Sequence, residues 1–202
     1  MKTIVWLLRH GDTTGTGILK GMLPFPLSEL GKKQIESAGR ILSKRKISRI
    51  YTSPLARTIE TANIVKEFLP EAKIIESKNL IEWDIPEWEG KKMKDLERDF
   101  PKEYDNLMHH VTKFKLGERI EKVRDRMLKI FWKAVSENSG KECLLISHGS
   151  PIKTLILSMK KLPLDTHGIM PHQGELVRIT LNDKSVESIK CFNSKLATSS
   201  LQ

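Results

Sequence analysis

The sequence predicts an α/β protein, a three-layer sandwich with a mostly parallel central sheet flanked by helices. Short apolar runs of strand length alternate with longer segments whose apolar residues recur at helical spacing. The first run, "TIVWLL" at residues 3–8, is apolar throughout, as expected of a strand covered on both faces. The chain has 202 residues, 39% hydrophobic and 30% charged, which fits one large domain with a sizeable core.

The segment between residues 28 and 77 predicts two helices, each followed by a strand. Ser28 is a suitable N-cap for the first helix, and Ser53 for the second. Pro54 would occupy the first position of the second helix, where its missing N–H costs nothing. The expected elements are a helix over 28–45, a strand over 48–52, a helix over 53–69 and a strand over 72–77.

Beyond residue 77 the regular pattern is interrupted and then resumes. Residues 78–117 are polar and irregular, with one helix expected over 93–100, and form an insertion that is expected to line the substrate pocket. We expect residues 1–192 to form a single domain and residues 193–202 a loosely held polar tail. The later elements expected are a helix over 118–138, a strand over 142–147, a helix over 150–161, and strands over 174–181 and 185–192 joined by a turn at Asn182 and Asp183.

The composition narrows the classes of partner. The net charge of +10 would suit nucleic acid, anionic lipid or phosphorylated substrates. The basic runs at 43–49 and 90–94 lack the interleaved aromatic residues of a nucleic-acid stacking platform, so we expect no nucleic-acid partner. No apolar stretch approaches the ~18 residues of a membrane span, and no secretory signal is expected. Two cysteines, Cys143 and Cys191, make no disulfide framework, which favours a cytoplasmic protein.

Two histidines directly follow predicted strands. His10 comes after the first strand, and His148 after the strand over 142–147. In open α/β sheets, ligands bind beyond the carboxyl ends of the strands. Gly11 and Gly149, the next residues, would let the backbone approach a ligand closely. The sequence therefore predicts a ligand site at this edge of the sheet.

The charges near these histidines indicate the chemistry of the site. Arg9 and Arg57 carry planar guanidinium groups suited to phosphate oxygens, and Arg57 falls in the first turn of its predicted helix. Positive charge nearby disfavours a protonated imidazole, so one histidine would be neutral and nucleophilic. Neither a carboxylate cluster for Mg²⁺ nor a cysteine–histidine cluster for Zn²⁺ is apparent. We expect phosphoryl transfer onto a histidine, with no metal or other cofactor.

Four segments of the chain resemble a known family. They are "LLRHGDT" from residue 7, "SPLARTIETA" from residue 53, "LIEWDIPEWEG" from residue 80 and "LLISHGSPIK" from residue 144. Their sequences and their order are similar to the motifs of the histidine phosphatase superfamily, also called the phosphoglycerate mutase-like family. The resemblance implies that family's fold and a phosphorylated small molecule as substrate.

The resemblance also implies roles for individual residues. His10 matches the histidine that becomes phosphorylated, and Glu82 matches the acid that protonates the leaving oxygen. Arg9, Arg57 and His148 match the rest of the phosphate pocket. Further candidates for phosphate or substrate binding are Thr16, Gly21, Gly149 and Ser150.

Several other positions bear on the fit to the family. Thr16 stands where the family usually has asparagine, and Pro86 where glycine is common. Trp83 and Trp88 could supply apolar surroundings for the acid. The remaining histidines are expected to be structural or exposed and to bind no metal: His109, His110, His167 and His172.

Two reactions of the family compete, and phosphate-ester hydrolysis is favoured over a mutase. Cofactor-dependent mutases carry a tyrosine three positions after the acid, where this chain has Ile85. They also use an arginine pair in the following segment, whereas no arginine lies between Arg98 and Arg119. A phosphate-binding pseudo-enzyme would not need Glu82, and a basic nucleic-acid-binding protein would bind DNA or RNA in a salt-dependent way. The physiological substrate and the oligomeric state stay open.

Overall fold

A computed structural model describes residues 1–192, and the predicted tail over 193–202 lies outside them. Within these residues, six strands form one sheet with the order β3-β2-β4-β1-β5-β6. The predicted α/β class is confirmed. The strands are β1 (Lys2–Arg9), β2 (Ile47–Thr52), β3 (Lys73–Glu76), β4 (Glu142–Ser147), β5 (Leu176–Asn182) and β6 (Ser185–Phe192).

The helices of the described residues alternate with the strands, except where the chain leaves the sheet after β3. A 3₁₀ turn at Lys78–Leu80 and two helices, α3 and α4, occupy that excursion. The helices are α1 (Glu29–Leu42), α2 (Ala56–Phe68), α3 (Met93–Asp99), α4 (Pro101–His109), α5 (Ile120–Glu137) and α6 (Gly149–Met159).

The sheet is parallel over four strands and ends in an antiparallel hairpin. β1 pairs with β4, β4 with β2, and β2 with β3, all in parallel. β5 is antiparallel to both β1 and β6. The tight turn between β5 and β6 has Asp183 at φ 53°, a left-handed conformation that aspartate tolerates. The parallel strands place the ends of β1 and β4 side by side at one edge.

Both faces of the sheet are covered by helices. Successive side chains of a strand point to opposite faces, and β1 shows this clearly. Trp6 and Leu8 pack with α1 and α2, whereas Val5 and Leu7 pack with α5 and α6. All four side chains are fully buried. This arrangement confirms the predicted three layers and the reason why β1 is apolar throughout.

Cys143 of β4 is a core residue, as predicted. The side chain is fully buried, and this burial raises the pKa of the thiol to about 12. The thiol is therefore un-ionised and unreactive at neutral pH. Within residues 1–192, neither Cys143 nor the exposed Cys191 forms a disulfide.

The predicted start of α2 is wrong. Ser28 caps α1 as expected, its Oγ accepting a hydrogen bond from the Gly31 N–H at 3.0 Å. The second helix, in contrast, begins at Ala56 with Leu55 as N-cap. Ser53 lies before it, fully buried, and its hydroxyl contacts His148. The serine therefore belongs to the edge of the sheet where the two histidines lie.

The excursion between β3 and α5 contains a helix that the sequence pattern does not predict. α3 follows the prediction, but α4 begins directly after it, with Pro101 at its first position. Proline disfavours the helical conformation of the residue before it, and Phe100 accordingly has φ −135° and ψ 55°. The chain therefore turns at Phe100 and starts a second helix.

This excursion encloses a small hydrophobic cluster of its own. Trp83 and Trp88 each pack edge-on against Phe114, with ring centroids 5.4 Å and 5.2 Å apart. Ile120 and Val123 join the cluster from α5. We call this group the insertion cluster. It lies apart from the two clusters that cover the sheet.

Candidate active site

His10 and His148 lie side by side because their strands are neighbours. Arg9, the last residue of β1, is in register with Ser147, the last residue of β4. The next residue on each strand is the histidine, and the two rings are 5.1 Å apart between centroids. The His10 N–H donates to the Ser147 carbonyl at 3.1 Å. The strand pairing thus brings together two residues that are far apart in sequence.

The hydrogen bond of the His10 ring defines its tautomer. Nδ1 lies 2.7 Å from the carbonyl oxygen of Gly11. A carbonyl oxygen only accepts, so Nδ1 carries the proton. In the neutral ring, Nε2 then keeps its lone pair. His10 therefore has an unprotonated nitrogen available for attack on an electrophile.

The tautomer of His148 follows from its two partners. The Nε–H of Arg57 donates to Nδ1 of His148 at 3.2 Å, so Nδ1 is unprotonated. Nε2 then carries the proton and donates to the Ser53 hydroxyl at 2.9 Å. Both nitrogens have protein partners, and the ring is completely buried.

Both histidines are neutral at pH 7. Burial is the largest cause that lowers the pKa of each ring well below its usual value. The positive charges of Arg9 and Arg57 lower both pKa values further. For His10, the hydrogen bond to Gly11 opposes these effects and is outweighed. The predicted influence of the guanidinium groups is present, but desolvation is the larger effect.

The two arginines are held by backbone carbonyls. Arg57 donates to the carbonyl of Gly21 at 2.8 Å and to that of Leu23 at 3.1 Å. Arg9 donates through Nη1 to the Pro171 carbonyl at 2.8 Å. Its Nε is buried and has no hydrogen-bond partner among the described residues. A buried donor without a partner is costly, and an anion in the site could satisfy it.

A cavity of about 330 Å³ opens onto this edge of the sheet. The sequence-predicted residues that line it are Arg9, His10, Gly21, Arg57, Glu82 and Ser150. His148 is buried and does not line it. Gly149 stands beside Arg9, where an added Cβ would lie 3.3 Å from the guanidinium carbon.

Thr16 does not take the place expected of it. It is exposed, in a turn of the loop after β1, and does not line the cavity. The loop instead brings Lys20 and Gly21 to the cavity. The backbone of Gly21 has φ +46°, and an added Cβ would lie 2.3 Å from the Glu89 carboxylate. The chain bends sharply at this glycine, so the residues of this loop that reach the site come after Thr16.

Glu82 lines the same cavity as His10 and is held through its backbone. The Glu82 carbonyl accepts from Nη2 of Arg126 at 2.8 Å, and the Ile81 carbonyl from Nη1 at 2.6 Å. Arg126, on α5, is also paired with Glu118 at 2.9 Å. One Glu82 oxygen accepts from the Trp83 N–H at 2.8 Å. The loop that carries Glu82 is thus fastened to a long helix.

The two tryptophans near Glu82 have different surroundings. Trp83 lines the cavity, as the sequence suggested, and its indole N–H donates to the Glu118 carbonyl at 2.6 Å. Trp88 packs inside the insertion cluster and does not line the cavity. Pro86, between them, is exposed. The departure from the family at this position lies in a surface turn.

Sequence reasoning missed three residues of the site. Ser53, predicted to be a helix cap, instead directly follows β2. It shares the segment "SPLAR" with Arg57, and this proximity could have indicated that Ser53 belongs to the site. Lys20 and Lys153 line the cavity, and both are half-buried. Burial is the largest cause that lowers the pKa of each lysine. Nothing in the sequence distinguished these lysines from the many others.

The glycine after His10 is needed for helix packing. A Cβ on Gly11 would lie 2.4 Å from the Gly31 carbonyl oxygen, and a Cβ on Gly31 would lie 2.0 Å from that of Asp12. The first turn of α1 therefore packs directly on the backbone next to His10. Gly11 thus permits the close approach of a helix to the backbone beside His10.

The described part of the chain holds neither a membrane-spanning helix nor a metal-binding cluster. No helix within residues 1–192 is long and apolar enough to cross a membrane. Over the same range, no three histidine, cysteine, aspartate or glutamate side chains are grouped closely enough to hold a metal ion. Of the remaining histidines, His109 packs against His167 with ring centroids 5.3 Å apart, outside the cavity.

Comparison with known proteins shows extended similarity. The sequence profile of the histidine phosphatase superfamily (branch 1) matches residues 5–194. Phosphoserine phosphatase 1 of Hydrogenobacter thermophilus is 26% identical over 157 residues, which cover 76% of this chain and 74% of that protein. The 2,3-bisphosphoglycerate-dependent phosphoglycerate mutase of Chlamydia muridarum is 26% identical over 192 residues, covering 79% and 85%. Bacillus stearothermophilus YhfR has a similar structure, with a TM-score of 0.86 and 27% identity over 91% of this chain and 94% of that one.

Proposed function

The chain belongs to the histidine phosphatase superfamily (branch 1), and we propose that it hydrolyses phosphate monoesters through a phosphohistidine on His10. Relatives named as phosphatases support hydrolysis of phosphate esters as the activity. The observation that carries the proposal is the state of His10. Its ring is buried, neutral and unprotonated at Nε2, at the wall of a cavity that Arg9 and Arg57 also line.

In the first step, Nε2 of His10 attacks the phosphorus atom of the substrate. The bond between phosphorus and the ester oxygen breaks, and that oxygen takes the proton of the Glu82 carboxylic acid and leaves as an alcohol. The phosphoryl group is then bound to His10. Arg9 and Arg57 face the charge that develops on its oxygens, and Lys20 adds a third cation.

In the second step, water attacks the phosphorus of the phosphohistidine. The Glu82 carboxylate takes a proton from this water, the bond between phosphorus and nitrogen breaks, and inorganic phosphate leaves. Glu82 is again protonated and His10 is again neutral. His148 supports both steps indirectly, because it accepts the Nε–H of Arg57 and so fixes that guanidinium. Gly21, Gly149 and Ser150 complete the surroundings of the phosphate.

The mutase reaction is the runner-up. A relative named as a phosphoglycerate mutase shows that the resemblance alone does not separate the two reactions. The third position after Glu82 is Ile85, a buried side chain that lines the cavity and offers no hydrogen bond. This favours release of the phosphoryl group to water over its return to a second hydroxyl of a polar substrate.

The proposed function also implies a substrate class, a cellular location and a domain organisation. We propose a small phosphorylated substrate, no nucleic-acid partner and a cytoplasmic location, the last supported by two cysteines that form no disulfide within residues 1–192. We also retain a single domain over residues 1–192, with 78–117 as an insertion that forms part of the pocket. The insertion cluster and its contribution to the cavity support that division.

The test is substitution of the nucleophile. His10→Ala should lower turnover of p-nitrophenyl phosphate by more than ~10³-fold, because the covalent route is lost. Mass spectrometry after a rapid quench should find acid-labile phosphate on His10 in the unaltered protein. His172→Ala is the matched control, since His172 is exposed and does not line the cavity. Turnover by His10→Ala within tenfold of that of the unaltered protein would contradict the proposal.

A further inference from the structure

The cavity wall opposite the phosphate-binding residues is apolar. Besides its charged members, the cavity is lined mainly by apolar side chains from the insertion, the loop after β1, the start of α5 and the segment after α6. Eight of these belong to the insertion cluster or pack against it. Trp83, Ile85, Val111 and Ile120 are buried members, whereas Leu19 and Leu107 are only partly buried. The cavity is therefore a gap in the surface of a hydrophobic core.

Two exposed methionines stand at this gap. Met108 of α4 is 42% exposed and Met170 is 46% exposed, and both line the cavity. Large apolar side chains exposed next to an apolar cavity indicate an apolar ligand. Methionine suits this position because its unbranched, polarizable side chain adapts to different shapes.

The charged residues of the cavity differ in how firmly they are held. Arg9 and Arg57 are bonded to backbone carbonyls and face the phosphate, with Lys20 beside them. Lys153 lies in the field of Asp165, whose carboxylate accepts from the Thr112 hydroxyl at 2.6 Å. Lys153 forms no ion pair within the described residues, but burial lowers its pKa and disfavours its charged form, so it is a weak partner for a second anionic group of the substrate.

Building on the proposed function, we infer that the preferred substrates are phosphate monoesters of alcohols with an uncharged apolar body, either aliphatic or aromatic. The phosphate would lie against His10 and Arg57, and the apolar body would fill the gap in the insertion cluster. Phosphosugars and phosphorylated carboxylic acids would bind less well, because their hydroxyl and carboxylate groups would lose water against an apolar wall.

The inference is tested by binding, without turnover. Alkylphosphonates have a phosphorus–carbon bond that hydrolysis does not cleave, and ethyl, butyl and hexyl phosphonate differ only in apolar length. Titration calorimetry should show Kd falling by about fourfold for each added methylene, the equivalent of the ~0.8 kcal/mol of a buried methylene. The heat-capacity change on binding should become more negative with length. 3-Phosphonopropionate, similar in length to butylphosphonate, should bind at least tenfold more weakly.

Two variants test where the apolar body of the phosphonate binds. Met108→Gln should weaken binding of hexylphosphonate severalfold and leave that of ethylphosphonate unchanged. Leu107→Asn should do the same more strongly, with circular dichroism confirming that the variant is folded. Leu162→Gln is the matched control, because Leu162 is 39% exposed and does not line the cavity.

The outcomes separate this inference from the proposed function. A Kd that does not depend on chain length, or tighter binding of 3-phosphonopropionate, would overturn the apolar substrate class even if His10 becomes phosphorylated. Chain-length dependence that disappears in the Met108 and Leu107 variants would establish the apolar site, even if His10→Ala were to leave turnover intact. Chain-length dependence that those variants leave unchanged would show that the alkyl groups bind elsewhere and would overturn the assignment.

Discussion

At the scale of single residues, the two buried histidines link activity to the energetics of folding. Their pKa values are lowered in the folded protein, chiefly by burial. Below about pH 6.5 the unfolded chain binds a proton at each histidine, while the folded protein does not. Protons therefore favour the unfolded chain on acidification. Above about pH 6.5 the two histidines do not lower the free energy of unfolding. As the pH falls below this value, they lower it progressively.

The first prediction follows from this linkage. Between about pH 6 and pH 5, each neutral buried histidine should contribute up to about 1.4 kcal/mol to the fall in the free energy of unfolding. His10→Asn should make that fall smaller by about this amount, as measured by urea unfolding at several pH values. Leu162→Gln, which is at an exposed position and removes no titratable group, should leave the pH dependence unchanged. An unchanged dependence in His10→Asn would mean that His10 is protonated in the folded protein over this range.

The second prediction concerns Glu82 as the acid. A poor leaving group needs a proton as its bond breaks, whereas p-nitrophenolate leaves with little help. Glu82→Gln should therefore slow hydrolysis of an alkyl phosphate by about 10²–10⁴-fold and of p-nitrophenyl phosphate far less. Glu87→Gln is the control, because Glu87 is exposed and does not line the cavity. Its carboxylate accepts a hydrogen bond from the Gly117 N–H.

Two other results would contradict the assignment of Glu82 as the acid. An equal loss on both substrates would indicate a role in binding or loop structure. A leaving-group-dependent loss in Glu89→Gln, with Glu82→Gln silent, would make Glu89 the acid. In the structure, the Glu89 carboxylate instead accepts a hydrogen bond from the Met22 N–H and so supports the loop that carries Lys20 and Gly21.

At the scale of elements, α5 positions the loop that carries Glu82. Arg126 donates to three nearby carbonyls, those of Asn79, Ile81 and Glu82, and is paired with Glu118. Both partners of this ion pair are mostly buried, at 13% and 18% exposure. The guanidinium group is suited to this task because it presents several donors in one plane. The loop that carries Glu82 is therefore held in place by a helix that lies outside that loop.

The third prediction tests this link. Arg126→Met should lower the free energy of unfolding by roughly 2–4 kcal/mol, because Glu118 loses its partner and three carbonyls lose a donor. It should also lower kcat for an alkyl phosphate more than for p-nitrophenyl phosphate, since the proton donor is displaced. Arg126→Lys should restore the charge but not the three bonds, and so recover only part of the activity.

The control residue for Arg126 is Arg124, on the same helix. Arg124 contacts its neighbour Asp125 at the surface, and Arg124→Met should change stability by less than ~1 kcal/mol. If Arg126→Met lowered kcat equally for both substrates, Arg126 would be a stabilising residue with no influence on proton transfer.

At the scale of the whole molecule, the protein supplies its own positive charge at the site. Arg9, Arg57 and Lys20 line the cavity from three different parts of the chain. Transfer of a phosphoryl group requires cations near its oxygens, and these can be guanidinium groups as well as metal ions. The cations are brought together by the fold, and the two guanidinium groups remain charged at neutral pH.

The fourth prediction is that chelation has no effect. Dialysis against EDTA should leave kcat and KM for p-nitrophenyl phosphate unchanged, because the proposed steps use only protein cations. Vanadate should inhibit competitively. Loss of activity in EDTA that Mg²⁺ or Zn²⁺ restores would show that a metal ion, and not the arginines alone, neutralises the phosphate oxygens.

The sequence by itself determined the sheet-and-helix alternation, the positions of His10 and His148 at the carboxyl ends of two strands, and the family. These depend on local patterns: apolar runs of strand length, helical periodicity, and short motifs at strand ends. Parallel strands that adjoin must bring their carboxyl ends together, so two histidines after two such strands could be expected to meet. Burial of Cys143 followed from the apolar run that contains it, whereas Glu82 was singled out by the family resemblance alone.

Only the tertiary structure decided which other residues reach the site and which side chains form the wall of its cavity. The sequence singled out Thr16 and not Lys20, but the conformation of the loop after β1 places Lys20, and not Thr16, at the cavity. The role of Arg126 depends on carbonyls 44 residues or more away in sequence, which no local pattern records. The apolar wall is likewise a property of packing: it exists because the insertion cluster is left uncovered where it faces His10.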